Sequence, residues 1–125
     1  MTSSSGVDRL DRIRERLRAF TAEREWSRFH DPKNLAMAIV SEAGELAAEL
    51  RWVANTAADD FVKNATVRDR LEREIGDVGI ALILLCERTG IDLLGAVERK
   101  IELNATNYPV DLVKGKSERP AVPTR

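Results

Sequence analysis

Four carboxylates occur in two pairs, and each pair has the spacing that places both side chains on one side of a helix. Glu42 and Glu45 form the first pair, and Glu74 and Asp77 form the second. At about 100° per residue, positions three apart are neighbours on a helix surface. If the two helices pack antiparallel, the four acids converge along one seam, where like charges repel unless a cation lies between them.

A seam of carboxylates suits a hard divalent cation. Mg²⁺ takes oxygen ligands in octahedral geometry, keeps several waters and accepts phosphate oxygens as further ligands. Bound there, it would lower the pKa of a water ligand and stabilise negative charge that develops in a transition state. The residue types therefore predict a Mg²⁺ site used in phosphoryl chemistry, with Mn²⁺ as a substitute.

Each pair alone is better explained as a solvated helix face, where E-x-x-E spacing is common. Two matched pairs and the glycines beside them favour a metal site instead. Gly44 lies in the first motif, Gly76 lies in the second, and Gly79 follows the second. A mid-helix glycine costs about 1 kcal/mol relative to alanine, which predicts that something packs or binds close to the backbone. A di-iron or di-manganese bundle is disfavoured, since it normally requires two Glu-x-x-His pairs, and the single histidine, His30, lies outside both motifs.

The helices that must position these acids follow from apolar residues at three- and four-residue spacings. The first helix is predicted over about 7–24. The second begins at an Asp31 cap, with Pro32 in its first turn, and continues to about Trp52. Residues 55–64 have no sustained period, which indicates an irregular connection.

A third helix is predicted over 67–89, with Thr66 as its cap and Gly90 as its stop. A fourth runs from Asp92 to about Asn107. The fold class is therefore all-α, with about four helices. The third helix, which buries Leu71, Ile75, Val78 and Leu82 in this prediction, carries more apolar surface than three partner helices can cover, so we expect a homo-oligomer.

Length and composition set further bounds. The 125 residues suit one domain, and the near balance of 20 basic and 21 acidic residues gives no field that would attract nucleic acid or a membrane. One cysteine excludes an intrachain disulfide and favours the cytoplasm, and no stretch has the ~20 apolar residues of a membrane helix. We expect a disordered N-terminus (1–6), one helical domain (7–108) and an extended or flexible tail (109–125).

The acid motifs belong to a longer pattern. It comprises Trp26-Ser-Arg-Phe29-His30-Asp-Pro32-Lys-Asn34-Leu, Glu42-Ala-Gly-Glu45-Leu, Trp52, Glu74-Ile-Gly-Asp77-Val, Lys100, Asn104 and Tyr108. Over about residues 10–116 this pattern resembles the all-α nucleotide pyrophosphohydrolases, the MazG-like superfamily, and in particular their dCTP pyrophosphatase branch. The resemblance implies that the helices form an antiparallel bundle.

The resemblance implies hydrolysis of a deoxynucleoside triphosphate, dCTP or a modified dCTP first, to the monophosphate and pyrophosphate, as housekeeping of the nucleotide pool. A metal-activated water would attack the α-phosphorus, with Glu42, Glu45, Glu74 and Asp77 as catalytic residues that hold Mg²⁺. One acid of the first pair, such as Glu45, is a candidate for the general base, and the sequence does not separate ligand from base.

The resemblance also implies a set of substrate-binding residues. Trp26 and Trp52 would stack on the nucleobase or wall it in, unless both belong to the core. His30 and Asn34 would bind phosphate or sugar, or fix the start of helix two. Lys100, Asn104 and Tyr108 would contact phosphates and metal waters, or form a solvated helix end. Lys114 and Lys116 would close over the triphosphate or belong to a mobile tail.

Departures from the family pattern keep alternatives open. Leu17 stands where near relatives from animals carry a histidine, so the base preference stays open. Glu49 shares the carboxylate side of helix two, but the family pattern requires no acid there, and we expect it outside the metal ligands. The alternatives are the same chemistry on dUTP or another noncanonical triphosphate, and a non-catalytic helical dimerisation module.

Overall fold

The computed structural model describes residues 5–120, and their side chains from residue 8 onward. Every regular element in this range is helical, so the all-α prediction is confirmed. The elements are α1 (Ser5–Glu23), a 3₁₀ turn (Ser27–Phe29), α2 (Pro32–Ala48), a second 3₁₀ turn (Asn55–Ala57), α3 (Ala58–Phe61), α4 (Ala65–Thr89), α5 (Leu93–Asn107) and α6 (Val110–Val113).

The chain divides into two compact units, 1–90 and 91–125. The first contains α1 to α4, and the second contains α5 and α6. Residues 1–4 of the predicted disordered N-terminus and residues 121–125 of the predicted tail lie outside the described residues. Within the tail, Val110–Val113 forms one helical turn that sequence analysis did not anticipate.

Two predicted helix ends are confirmed by their capping geometry. The Asp31 carboxylate accepts a hydrogen bond from the Asn34 backbone N–H at 2.9 Å, and Pro32 is the first residue of α2. Gly90 ends α4 with φ +71°, a left-handed conformation that glycine adopts without steric cost.

Other boundaries differ from the predictions. α2 ends at Ala48 rather than near Trp52, because the backbone tightens into i→i+3 hydrogen bonds: the N–H of Leu50 donates to Ala47 at 3.1 Å. No glycine or proline marks this turn in the sequence. The cap of α4 is Asn64, not the predicted Thr66. The Asn64 side-chain oxygen accepts hydrogen bonds from the backbone N–H groups of Thr66 and Val67 at 2.9 and 3.2 Å.

The helices that carry the acid motifs, α2 and α4, pack against each other and run antiparallel. At one end Arg70 donates to the Glu49 carboxylate at 3.0 Å, and toward the other end Asn34 and Leu84 line the same cavity. Residue numbers therefore increase along α2 in the direction in which they decrease along α4. Leu35 and Ala81 are buried in this unit, and the pairing brings the two acid motifs to the same level.

α1 and the turn after it are attached to the C-terminal half of α4 by charged groups. Arg14 and Arg18 contact the Glu87 carboxylate at 3.2 and 2.7 Å, and Arg88 donates to the backbone carbonyl of Ser27 at 3.1 Å. These contacts hold the segment between α1 and α2 beside α4.

Much apolar surface stays exposed on the single chain. Among the described hydrophobic side chains, few are buried, while on α2 Val40 is 66% exposed and on α4 Ile75 is 55% exposed and Leu82 also reaches solvent. The prediction that α4 buries Ile75 and Leu82 is therefore wrong within the first unit, because its described elements leave these two side chains exposed. None of the described helices has the length and apolar content needed to cross a bilayer.

The α4 cap gives a direct test of this geometry. Asn64→Ala removes the acceptor for two backbone N–H groups and is expected to lower the free energy of unfolding by about 1 kcal/mol in urea titrations. Thr66→Ala is the matched control and should change it by less than about 0.5 kcal/mol. A larger effect from Thr66→Ala than from Asn64→Ala would contradict the capping seen here.

Candidate metal centre and adjoining cavities

Three of the four predicted acids converge where α2 meets α4. One carboxylate oxygen from each of Glu42, Glu74 and Asp77 can be chosen so that all lie within 4.8 Å of one another. Two oxygens bound to the same Mg²⁺ at about 2.1 Å are at most about 4.2 Å apart, so only a small side-chain adjustment separates this arrangement from a ligand set. Glu42 and Glu74 are half-buried, and Asp77 is exposed.

The electrostatics of the cluster are those of crowded negative charge. The pKa of Glu74 is raised above its usual value of 4.5. The largest cause is partial burial, which removes water from the charged carboxylate, and the second is the nearby carboxylates. In decreasing order, these are Asp77, Glu45, Glu42 and Glu49. A cation bound among them would relieve this repulsion.

Glu45 and Glu49 occupy different positions from the three converging acids. Glu45 is exposed one turn beyond Glu42, and its charge acts on Glu74, but its oxygens lie outside the group of three. Glu49 forms an ion pair with Arg70 at 3.0 Å. The structure therefore brings three of the four predicted acids together, with Glu45 beside them and Glu49 paired to an arginine.

A cavity of about 320 Å³ adjoins the acids. Glu42 and Asp77 line it together with His30 and Asn34, two of the predicted substrate-binding residues. The Asn34 side-chain amide donates to the Phe29 carbonyl at 3.0 Å, so one of its N–H groups fixes the 3₁₀ turn before α2. Both roles considered for Asn34 in the sequence are compatible with this position.

A larger and mostly apolar cavity of about 470 Å³ shares three wall residues, His30, Ile80 and Leu84, with the acidic one. Its aromatic wall consists of Phe20 and Trp26, whose rings meet edge to face with centroids 5.7 Å apart. The Arg24 guanidinium lies 3.7 Å from the centre of the Phe20 ring and covers it. The two aromatic side chains are about equally exposed, Phe20 at 43% and Trp26 at 44%.

Phe20 is a wall residue that sequence analysis did not assign to the site. Its spacing from Ile13 and Leu17 matches a core stripe, and all three line the larger cavity instead. A helical period indicates which residues share a face but does not indicate whether that face closes against another helix or around a cavity.

The two tryptophans have different environments, and neither is a core residue. Trp26 is 44% exposed at the larger cavity, whereas Trp52 is 87% exposed in the turn after α2. The Arg51 guanidinium lies 5.5 Å from the Trp52 ring centre. Trp52 lines none of the cavities described above, so the single chain does not bring it to the acids.

The second unit has its own polar cavity, of about 320 Å³. Lys100, Asn104 and Tyr108 line it, as their four-residue spacing on α5 predicts, and Arg119 completes the wall. Sequence analysis missed Arg119 because it lies in the predicted tail and no short-range pattern relates it to α5.

The glycines beside the acids do not lie against other parts of the chain. A Cβ atom built on Gly44, Gly76 or Gly79 would meet no atom within 4 Å outside its own helix backbone. The sequence predicts that something packs or binds close to the backbone there. Among the described residues nothing packs against these glycines, so they leave open surface, and binding there stays a prediction.

Comparisons with known proteins agree with these observations. No protein-family model matches the chain. Its curated relatives include dCTP pyrophosphatase 1 of Mus musculus, 39% identical over 108 residues, which are 86% of this chain and 64% of that protein. The same enzyme of Bos taurus is 36% identical over 115 residues, 92% of this chain and 68% of that protein. The chain thus spans about two thirds of the length of these relatives.

A solved structure extends the comparison to the fold. A pyrophosphatase from Archaeoglobus fulgidus DSM 4304 superposes with a TM-score of 0.76 and 33% sequence identity, covering 81% of this chain and 93% of that one. On this likeness and the two acid motifs, the chain belongs to the MazG-like superfamily of all-α nucleotide pyrophosphohydrolases and resembles its dCTP pyrophosphatase branch.

Proposed function

We propose that this chain hydrolyses a deoxynucleoside triphosphate, with dCTP or a modified dCTP as the first candidate, to the monophosphate and pyrophosphate in a Mg²⁺-dependent reaction. The convergence of Glu42, Glu74 and Asp77 next to a cavity that shares wall residues with a larger, aromatic-walled cavity is the observation that carries this proposal. The mouse and bovine relatives, which are named for dCTP, supply the choice of base.

The donor set fits Mg²⁺. All three converging groups are carboxylates, which are hard oxygen donors. Partial burial and then the neighbouring carboxylates raise the pKa of Glu74, and a bound cation would favour its charged form. Glu42, Glu74 and Asp77 would hold the ion, with Glu45 as a further ligand or as the general base. When bound, Mg²⁺ supplies neutralisation of the triphosphate and lowers the pKa of a coordinated water.

The chain's own residues would then orient the substrate and move the proton. Glu45 is exposed and lies outside the group of three, so one of its carboxylate oxygens is available to accept a proton from the attacking water. His30 lines both cavities of the first unit and is suited to contact the sugar or phosphate between base and acids.

The larger cavity is suited to the nucleobase. Trp26 offers an aromatic face for stacking, which stabilises any base by about 1–3 kcal/mol and discriminates little between bases. Selection must therefore come from polar groups in the wall, such as Arg16 and Thr21. The alternative substrate, dUTP or another noncanonical triphosphate, is retained because Leu17, where animal relatives carry a histidine, lines this same cavity.

We further propose that the chain works as a homodimer or homotetramer. The exposed apolar side chains Met37 and Val40 on α2 and Ile75 and Leu82 on α4 would be covered by a second copy. Burial of apolar surface contributes about 25 cal/mol per Å², so covering these side chains is a large favourable term in assembly. The open glycines beside them leave room for close helix approach.

Pyrophosphate release from all canonical and 5-substituted deoxynucleoside triphosphates tests the reaction and the substrate. We expect the highest kcat/KM for a cytosine nucleotide and no release in the presence of a chelator. Glu42→Gln should lower kcat at least about 100-fold, since it removes a metal ligand. Glu72→Gln, an exposed acid of α4 outside the cluster, is the control and should retain activity. A lack of release from every triphosphate would leave only the dimerisation module.

Glu74→Gln tests the crowded charge by stability. Because the pKa of Glu74 is raised in the fold, the folded state binds more protons than the unfolded state between pH 4.5 and the raised value. Glu74 therefore makes the metal-free fold less stable as the pH rises through that window. We expect Glu74→Gln to raise Tm at pH 7 in chelator, to reduce the gain in Tm on acidification, and to weaken the further rise caused by Mg²⁺. Glu72→Gln should do none of these. A lower Tm in chelator for Glu74→Gln would contradict the electrostatic account.

Sedimentation equilibrium tests the assembly. The wild type should have the mass of two or four chains, and Val40→Glu should shift it toward one chain because it places a charge on the apolar face of α2. Leu112→Glu, at a comparably exposed apolar residue of α6, is the control and should keep the wild-type mass. A monomeric wild type would refute the oligomer.

A further inference from the structure

The polar cavity of the second unit has the composition of an anion site. Of its four lining residues, Lys100 and Arg119 are cationic at neutral pH, and Asn104 and Tyr108 carry side-chain hydrogen-bond donors. No carboxylate belongs to this lining set. Its volume of about 320 Å³ exceeds that of a single ion. A ligand with several negative oxygens in sequence would match these donors.

The wall of this cavity comes from two parts of the chain that are separated in sequence. Lys100 and Asn104 lie on α5, Tyr108 directly follows its last residue, and Arg119 is contributed by the segment after α6. That segment turns after α6: the N–H of Lys116 donates to the Val113 carbonyl at 2.9 Å, and Gly115 has φ +75°. Glycine takes this left-handed conformation without cost, whereas other residues are strained in it.

We propose that Arg119 is a fourth binding residue of a polyphosphate pocket whose ligand is a chain of phosphate groups, the chemical class that the proposed substrate carries. This inference rests on the proposed function, which it deepens. A guanidinium presents paired N–H groups that match phosphate oxygens two at a time, while the Lys100 ammonium acts as a compact point charge. The arginine thus adds orientation to the charge that α5 already supplies.

The position of Arg119 also distinguishes it from the two lysines of the same segment. Lys114 and Lys116, which sequence analysis considered for closure over the triphosphate, do not line the cavity, and Arg119 does. The charge at position 119 therefore matters because of where it lies, and not because the segment is basic.

The experiment compares Arg119→Gln, Arg119→Lys and Arg99→Gln in the full chain. Arg99 is the matched control, an exposed arginine of α5 outside the cavity lining. Steady-state kinetics with dCTP should show KM raised about tenfold by Arg119→Gln with kcat changed less than about twofold, partial recovery in Arg119→Lys, and no change in Arg99→Gln. Calorimetric titration with inorganic tripolyphosphate should show the same order, with Kd about tenfold weaker for Arg119→Gln.

Gly115→Ala provides a second test that leaves every charge in place. A Cβ at this glycine meets nothing within 4 Å, so any effect arises from backbone strain in the turn that precedes Arg119. We expect tripolyphosphate binding to weaken with Tm changed by only a few degrees. Unchanged KM and Kd in Arg119→Gln, or an equal loss in Arg99→Gln, would overturn the inference while leaving the proposed function intact. Absence of hydrolysis by the wild type would refute that function, and tripolyphosphate titration would still decide the role of Arg119.

Discussion

The repulsion among carboxylates at the contact between α2 and α4 is the constraint on which the rest of the site depends. The antiparallel pairing of the two helices brings Glu42 to the level of Glu74 and Asp77. Partial burial, and after it nearby negative charge, raises the pKa of Glu74. A fold that keeps such a cluster gives up stability in the absence of a cation, and this cost is explained if the cluster binds one in use.

The surrounding elements direct what can reach the acids. α1 and the turn after it are held to α4 through Glu87 and Arg88, and this places Trp26 and His30 at a cavity that shares its wall with the acidic one. A nucleobase in the larger cavity and phosphates near the acids would then follow from one arrangement of three helices. In the proposed function, the chemistry depends on the acids, and the choice of substrate depends on α1 and its turn.

The sequence predicted what depends on local chemistry and missed what depends on distant contacts. The Asp31 cap, the Gly90 stop and the convergence of the acid pairs follow from residue type and helical spacing, and the structure agrees with them for three of the four acids. The end of α2 lacks any marker residue, and the choice of Asn64 over Thr66 depends on which side chain reaches the free N–H groups. Phe20 and Arg119 were missed because cavities form from separated segments, which no spacing rule reveals.

The measurement that tests the central claim most directly is anomalous X-ray diffraction from crystals grown with Mn²⁺, which takes the same oxygen ligands as Mg²⁺. The account predicts an anomalous peak bounded by carboxylate oxygens of Glu42, Glu74 and Asp77, and loss of that peak in Glu42→Gln crystals grown in the same way. Well-diffracting wild-type crystals with no peak at these three residues, or with peaks only elsewhere, would contradict it.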